Sequence, residues 1–346
     1  MEHNNFLIPK ITVLMPVYNC ADYVGEAIES ILNQTFTDFE FLIIDDASTD
    51  DTVSVIQSFT DSRIRLIEKP KNTGYTNSLN YGLTIAQGAY IARMDGDDIS
   101  FPERFAKQVA LMDLHPEVIA CGTFYSIIGS GIIKKVPINH DDIKVQLLQK
   151  TCFGHPTVML RKSVFEKYKV AYNSDREPAE DYDLWVRLLP YGKLANLPDV
   201  LLAYRVHDGQ VSQNRNQIKR ENTASIRLNL LKYLDYCFSL NEEQLLKKIL
   251  LRNDILTLEE INNYLLLKSK LIESNKGFFK NEGLQKYFVA LQSVVLKDYF
   301  LKRKLFSLPI FVDYLTLGRK CNFKLPLMSM FKLLIKSVIS FENKGS

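Results

Sequence analysis

Short apolar runs and helical apolar stripes alternate along the front of the chain. Residues 11–17 (ITVLMPV), 39–44 (FEFLII), 64–67 (IRLI) and 90–94 (YIARM) are brief and mostly apolar, which predicts strands buried on both faces. Between them the apolar residues recur every three or four positions: Val24, Ala27, Ile28, Ile31 and Leu32, then Val53, Val55, Ile56 and Phe59, then Leu79, Leu83 and Ile85. That spacing predicts helices. Asp22 is expected to N-cap the first of them, and Gln87-Gly88 to end the third. Strand and helix thus alternate four times, the pattern of a parallel sheet with helices on both faces. Ligands of such sheets sit beyond the carboxyl ends of the strands. The polar clusters at 16–19, 45–50, 72–74 and 95–98 all fall there.

From residue 101 the pattern changes. A helix is expected over 102–112, then short strands over 118–121, 124–128 and 132–136, with Gly129-Ser130-Gly131 as a hairpin turn. A helix over 141–148 and a strand over 158–160 follow. Glu180-Asp181 opens a helix through Leu184, Trp185, Leu188 and Leu189, and 194–197 and 200–205 read as strands before a loop at 207–212. Beyond residue 215 the β pattern stops. Helices are expected over 229–240, 241–253, 256–274 and 284–301, with apolar runs near Pro309 and Pro326. The organisation expected is an α/β domain over 1–215, made of halves 8–100 and 101–215, and a mainly helical domain over 216–346.

Charge divides the chain at the same place. Residues 216–346 hold 22 Lys and Arg against 12 Asp and Glu, whereas 1–215 hold 21 against 28. An acidic front and a basic back imply different partners. Five scattered cysteines show neither disulfide nor zinc spacing, which points to a reducing cytoplasm. The first residues lack the features of a signal peptide, and no run of about 18 apolar residues predicts a membrane span.

The densest chemistry is Asp95-Gly96-Asp97-Asp98, at the end of the fourth strand. Carboxylates that close repel one another and resist burial. Asp95 and Asp97 can point oxygens into one space, and ligation by carboxylates, water and phosphate suits Mg²⁺ or Mn²⁺. The plain alternative is a solvated acidic turn in which Asp98 caps a helix from Pro102. The glycine fingerprints G-x-G-x-x-G and G-x-x-x-x-G-K-[ST] are missing, so a bound diphosphate would be held through metal.

Taken in order, these motifs resemble the family 2 glycosyltransferases with the GT-A fold, over roughly 8–215. The strand and turn at 13–19, the stretch from Asp22-Tyr23-Val24 to Phe39-Glu40, the loop Asp45-Asp46-Ala47-Ser48-Thr49-Asp50, the Asp95–Asp98 cluster and Glu180-Asp181 follow the family's order and spacing. The resemblance implies a UDP-sugar donor, with Pro16 and Tyr18 flanking the base and Asp46 accepting from the uracil N–H. Asp95 would lie by the ribose and donor sugar. Asp97 would bind metal, with Asp98 as the family's variant ligand. Arg93 would face the diphosphate or only pair with the acidic cluster, and Asp45 would touch ligand or cap a helix. His207 would stand near metal and diphosphate, or be structural. Asp181 would be the catalytic base of an inverting transfer and Glu180 would orient substrate. Trp185 is a sugar platform or core packing. The acceptor would be a glycan or a lipid-linked sugar in surface polysaccharide synthesis. The processive members' Q-x-x-R-W motif is missing. A nucleotidyltransferase and a non-catalytic sugar-binding protein are the alternatives.

The tail adds one more expectation. Residues 297–346 hold ten Lys and Arg and three acids, interleaved with aliphatic and aromatic residues. That suits a segment lying in an anionic membrane interface, on the inner face of the membrane, or a helix packed on the helical region. Nucleic acid is not an expected partner, since charged and aromatic residues do not form a stacking groove.

Overall fold

The four apolar runs at the front form strands β1 (Ile11–Val17), β2 (Phe39–Asp45), β3 (Ile64–Glu68) and β4 (Tyr90–Arg93). All are parallel, in the order β3-β2-β1-β4. Helices α1 (Ala21–Leu32), α2 (Thr52–Gln57) and α3 (Tyr75–Ile85) make the crossovers. Every residue of β1 is buried. Ile11, Val13 and Met15 pack in one cluster with Val24, Ala27, Ile28 and Ile31 of α1. This computed structural model describes residues 8–207 and 216–342.

Two features of this half depart from the pattern's reading. Asp22 lies in the first turn of α1 and caps nothing; Cys20 holds the N-cap position. The distant Asp50 supplies the acceptor instead, taking the Ala21 N–H at 3.1 Å. Helix α3 ends at Ile85, so Gly88 is not its cap. Gly88 is needed for contact: a Cβ there would lie 2.3 Å from Thr12 N and 2.4 Å from the Ile11 carbonyl carbon.

The second half continues the sheet. It contains β5 (Ile99–Ser100), α4 (Arg104–Leu114), β6 (Val118–Ile127), β7 (Ile133–Lys134), α5 (His140–Leu147), β8 (Met159–Arg161), α6 (Lys162–Tyr168), α7 (Glu180–Leu188) and β9 (Lys193–Tyr204). The order runs on from β4 as β8-β6-β9-β5, with β7 paired to β6. β8 is antiparallel to both neighbours, which turns the parallel sheet into a mixed one. Where two strands were expected at 118–128 there is one, and likewise at 194–205. Leu197 pairs with Thr123 and Val200 with Phe124, so Pro198 and Asp199 are taken up as a bulge rather than a break. β5 follows the acidic segment directly yet pairs with β9 at the far edge. That crossing brings the end of β9 back to the end of β4.

The chain divides into compact units Met1–Ile226 and Arg227–Ser346. The helices after the sheet are α8 (Asn216–Leu231), α9 (Leu240–Leu251), α10 (Leu258–Glu273), α11 (Asn281–Leu301), α12 (Leu308–Cys321) and α13 (Leu327–Val338). The helix expected over 229–240 begins earlier and stops at Leu231, because Ser239 starts α9 with a capping box to Glu242. Thr257 and Glu260 start α10 the same way. Ile261, Tyr264, Leu284, Phe288 and Phe300 are among the buried side chains of this unit.

Gly88→Ala should force apart β1 and the approach to β4. The expected cost is about 1–3 kcal/mol, read as a lowered midpoint in thermal unfolding; an unchanged midpoint would show that the contact yields.

Candidate active site

β4 ends at Arg93, and the next residues carry the carboxylates past the sheet edge. Gly96 presses against β1: a Cβ there would meet Val17 Cγ1 at 2.9 Å and Cys20 Sγ at 3.0 Å. One oxygen from each of Asp95, Asp97 and Asp98 lies within 4.8 Å of the others. Burial pushes Asp95 up to about 6, with Arg93 opposing and Asp97 adding to the rise. Asp98 rises well above the carboxylate range, by burial first and then by Asp95 and Asp97. Asp98 caps no helix, since α4 begins only at Arg104. Its Oδ1 accepts the Arg205 N–H at 2.8 Å, and its Oδ2 is buried with no partner. His207 Nε2 sits 2.9 Å from Asp97 Oδ2, and its ring packs on Tyr23 at 5.0 Å. It thus braces Asp97 from outside the carboxylate cluster. Past His207, the loop expected to residue 212 lies outside the described residues.

The neighbouring strand ends build a second part of the site. Val17 pairs with Asp45, and Asp46 N donates to the Val17 carbonyl at 2.9 Å, so Pro16, Tyr18 and Asp46 meet at one edge. Pro16 is buried, and Tyr18 is 49% exposed. Asn19, at φ 48°, accepts Thr49 N–H at 2.8 Å and donates its own N–H to Ser48 Oγ at 2.9 Å. These bonds staple the 45–50 loop to β1. Asp46 accepts from Lys69 at 2.6 Å, Thr73 N–H at 3.0 Å and Gly74 N–H at 2.8 Å. Burial works against its charge, but Lys69 and the two amides outweigh it and hold the carboxyl below its usual range. Asp45 Oδ2 accepts Ser48 N–H at 3.0 Å, which turns the loop, and Oδ1 is buried without a partner.

Beneath the acidic segment runs a polar chain that no motif signalled. Arg93 is 4% exposed, pairs with Asp95 and donates to the Tyr75 hydroxyl. Tyr75 Oη is 3.1 Å from His155 Nδ1, and His155 Nε2 is 2.9 Å from Tyr172 Oη. Burial, aided by Arg93, holds His155 well below its usual range, so the ring is neutral. A neutral imidazole has one donor and one acceptor nitrogen, which suits a hydroxyl on each side. These residues are far apart in sequence, and only the buried hydrogen bonds reveal them.

Glu180 and Asp181 open α7. Burial and then the Asp181 charge push Glu180 up to about 8. Burial also raises Asp181, against the Tyr182 N–H and Arg93. A helix N-terminus favours carboxylates, so burial is the stronger effect here. Thr151 Oγ1 lies 3.4 Å from Asp181 Oδ2. Arg93 acts electrostatically on Asp95, Glu180 and Asp181 alike, which links the acidic cluster to the carboxyl pair. Trp185 is fully buried, edge-on to Phe153 at 4.9 Å and to His155 at 6.0 Å, so it is core packing and no sugar platform.

The fold matches that of a protein solved with a nucleotide sugar bound. Staphylococcus aureus TarS 1-349, solved in complex with UDP-GlcNAc, superposes with a TM-score of 0.59 at 16% identity, covering 94% of this chain and 91% of that one. The architecture is GT-A. The sequence then fixes the family. The profile of glycosyl transferase family 2 matches residues 12–169. A glycosyltransferase of Haemophilus influenzae, named as uncharacterized, is 36% identical over 66% of this chain and 75% of its own length. The Escherichia coli protein WfaP, named UDP-Glc:alpha-D-GlcNAc-diphosphoundecaprenol beta-1,3-glucosyltransferase, is 31% identical over 59% of this chain and 80% of its own. The chain belongs to glycosyl transferase family 2 and is a glycosyltransferase. The nucleotidyltransferase and non-catalytic alternatives fall away.

A carboxyl raised in the fold, as Glu180 is from 4.5 to about 8, adds stability below its unfolded value. That stability is lost as pH rises through the folded value. Glu180→Gln should therefore gain thermal stability relative to the parent protein as pH rises from about 4.5 to about 8. A difference in unfolding midpoint that stays flat across that window would show that Glu180 is not held protonated by burial.

Proposed function

We propose that this enzyme moves one sugar from a UDP-sugar to a hydroxyl of a glycan or lipid-linked acceptor, with inversion, in building a surface polysaccharide. The observation that carries the reading is the carboxyl pair of buried Glu180 and half-buried Asp181, linked through Arg93 to the acidic cluster at the end of β4. The name of WfaP, with UDP-Glc, and the TarS complex with UDP-GlcNAc support a uridine donor, and the name of WfaP supports a diphosphoundecaprenol acceptor. Such an acceptor keeps its lipid in a membrane, so the enzyme would work at a membrane surface.

The roles follow from placement. Tyr18, exposed at the end of β1, and Pro16 would flank the base. Asp46, held charged by Lys69, would accept from the uracil N–H; its Oδ2 takes only the Gly74 amide and keeps a lone pair. The acidic cluster fits a divalent cation: its oxygens converge, burial raises two of the carboxyls, and Asp98 Oδ2 is orphaned. Asp95, Asp97 and Asp98 would hold Mn²⁺ or Mg²⁺, which when bound supplies Lewis-acid stabilisation to the departing diphosphate. His207 would keep Asp97 oriented. Asp181 would take the acceptor hydroxyl's proton as the new bond forms, and Glu180 would orient that hydroxyl. Burial raises both carboxyls, which makes Asp181 a stronger proton acceptor than a free carboxylate, and the pair titrates as a unit.

Asp181→Asn should lower turnover by about 10²–10⁴-fold while a thermal shift by UDP persists. Near-normal turnover would remove Asp181 from the role of base. UDP with Mn²⁺ should stabilise the protein more than CDP or GDP does, and excess EDTA should abolish both the extra shift and the activity. Equal shifts for the three nucleotides would defeat the assignment of Asp46, and full activity in EDTA would defeat that of the cluster.

A further inference from the structure

We propose that the outward faces of α12 and α13 form a docking surface for an anionic lipid bilayer. The inference rests on the reading that the enzyme works at a membrane surface, and not on the sugar chemistry.

α13 buries Leu333 and Ser337 at 1% and 0% exposure. On the other side Leu327, Met328, Phe331, Ile335, Val338 and Ile339 are 48–70% exposed. At 3.6 residues per turn these six side chains fill an arc of about 120°. Lys332 and Lys336 follow at one edge of that arc. α12 repeats the arrangement. Ile310, Tyr314 and Leu317 are buried, while Leu308, Val312 and Leu315 form an exposed stripe that Arg319 continues. A helix on a water-facing surface turns polar residues outward. These two bury one apolar face and present a second.

Charge chooses among the occupants. Lys304, Arg319, Lys320, Lys324 and Lys332 are exposed and make no ion pair among the described residues. Of the three acids in residues 297–346, Asp298 pairs with Arg252 and Lys302, Asp313 accepts from Tyr299, and only Glu342 is an exposed carboxylate to set against these five cations. A second copy on this face would set the same cations against one another. An anionic headgroup layer matches them, and lysines at the edge of an apolar arc can bury their stems while their ammonium groups reach the headgroups. No helix among the described residues is long and apolar enough to cross a membrane, so these would lie in the interface plane.

The test is flotation of the full chain with vesicles of phosphatidylcholine containing about 30% phosphatidylglycerol, at low salt where attraction is screened least. The protein should float with these vesicles, float less at high salt, and stay behind with pure phosphatidylcholine. Phe331→Ser with Ile335→Ser should weaken flotation by about tenfold or more. Lys320→Glu with Lys324→Glu should also weaken it. Both variants should keep the parent's unfolding midpoint and its thermal shift with UDP. Absence of flotation by the parent would overturn the proposal. So would flotation unchanged in the variants, or a dimer in sedimentation that the serine variant splits. Flotation without any UDP shift would count against the uridine-donor reading alone.

Discussion

Three like charges gathered at the end of one strand set the terms for the catalytic unit. At a separation within 4.8 Å, two carboxylates repel by about 3–4 kcal/mol at an effective dielectric of ~20. Three such pairs exceed what a single buried guanidinium can offset, and this repulsion adds to burial, the larger cause, in raising Asp95 and Asp98. The surroundings are arranged to tolerate this crowding and do not remove it. Arg93 lies beneath, the Arg205 amide and side chain meet Asp98 and the Asp97 carbonyl, and His207 braces Asp97. A site left short of positive charge, with one carboxylate oxygen orphaned, is complementary to a divalent cation.

Sheet topology makes the arrangement possible. Arg205 and His207 follow Asp97 and Asp98 by more than a hundred positions, yet contact them directly. They do so because β5 leaves the acidic segment and pairs with β9 across the sheet. Any slip in that pairing would carry Arg205 away from Asp98. The side chain of Gln34 reinforces it, bonding the Phe101 carbonyl at 2.8 Å and the Phe105 N–H at 3.1 Å. The surroundings of the acidic cluster are therefore assembled by long-range pairing, although its three acids are nearly contiguous.

This explains what could be read from the chain alone. Short apolar runs and period-3.6 stripes are local, so β1 to β4 and the helices between them were legible, as were the polar clusters at their ends. Motifs compact in sequence, such as Asp95–Asp98 and Glu180-Asp181, could be placed at a strand end and a helix start for the same reason. Contacts between distant segments were not. Asp50 rather than Asp22 serves the start of α1, and Gly88 exists for β1 rather than for its own helix. Pro198-Asp199 looks like a strand break until β6 shows it to be a bulge. Tyr75, His155 and Tyr172 have no spacing to betray them; what unites them is a shared buried line of hydrogen bonds.

That buried line also bears on the two readings of Arg93. Pairing with Asp95 and facing an anionic ligand need not compete. Nη2 serves Asp95 and Tyr75, while Nε and Nη1 are buried without partners. A buried donor left unmade costs about 1–3 kcal/mol, so the arrangement is sustained by what the fixed charge does for its neighbours. Placed in low dielectric, that charge acts on Asp95, Glu180 and Asp181 at once. Tyr75 and neutral His155 hold it there without adding charge of their own. A protonated imidazole in the same place would repel Arg93 and lose its acceptor, so the neutrality of His155 is a condition for the position of Arg93.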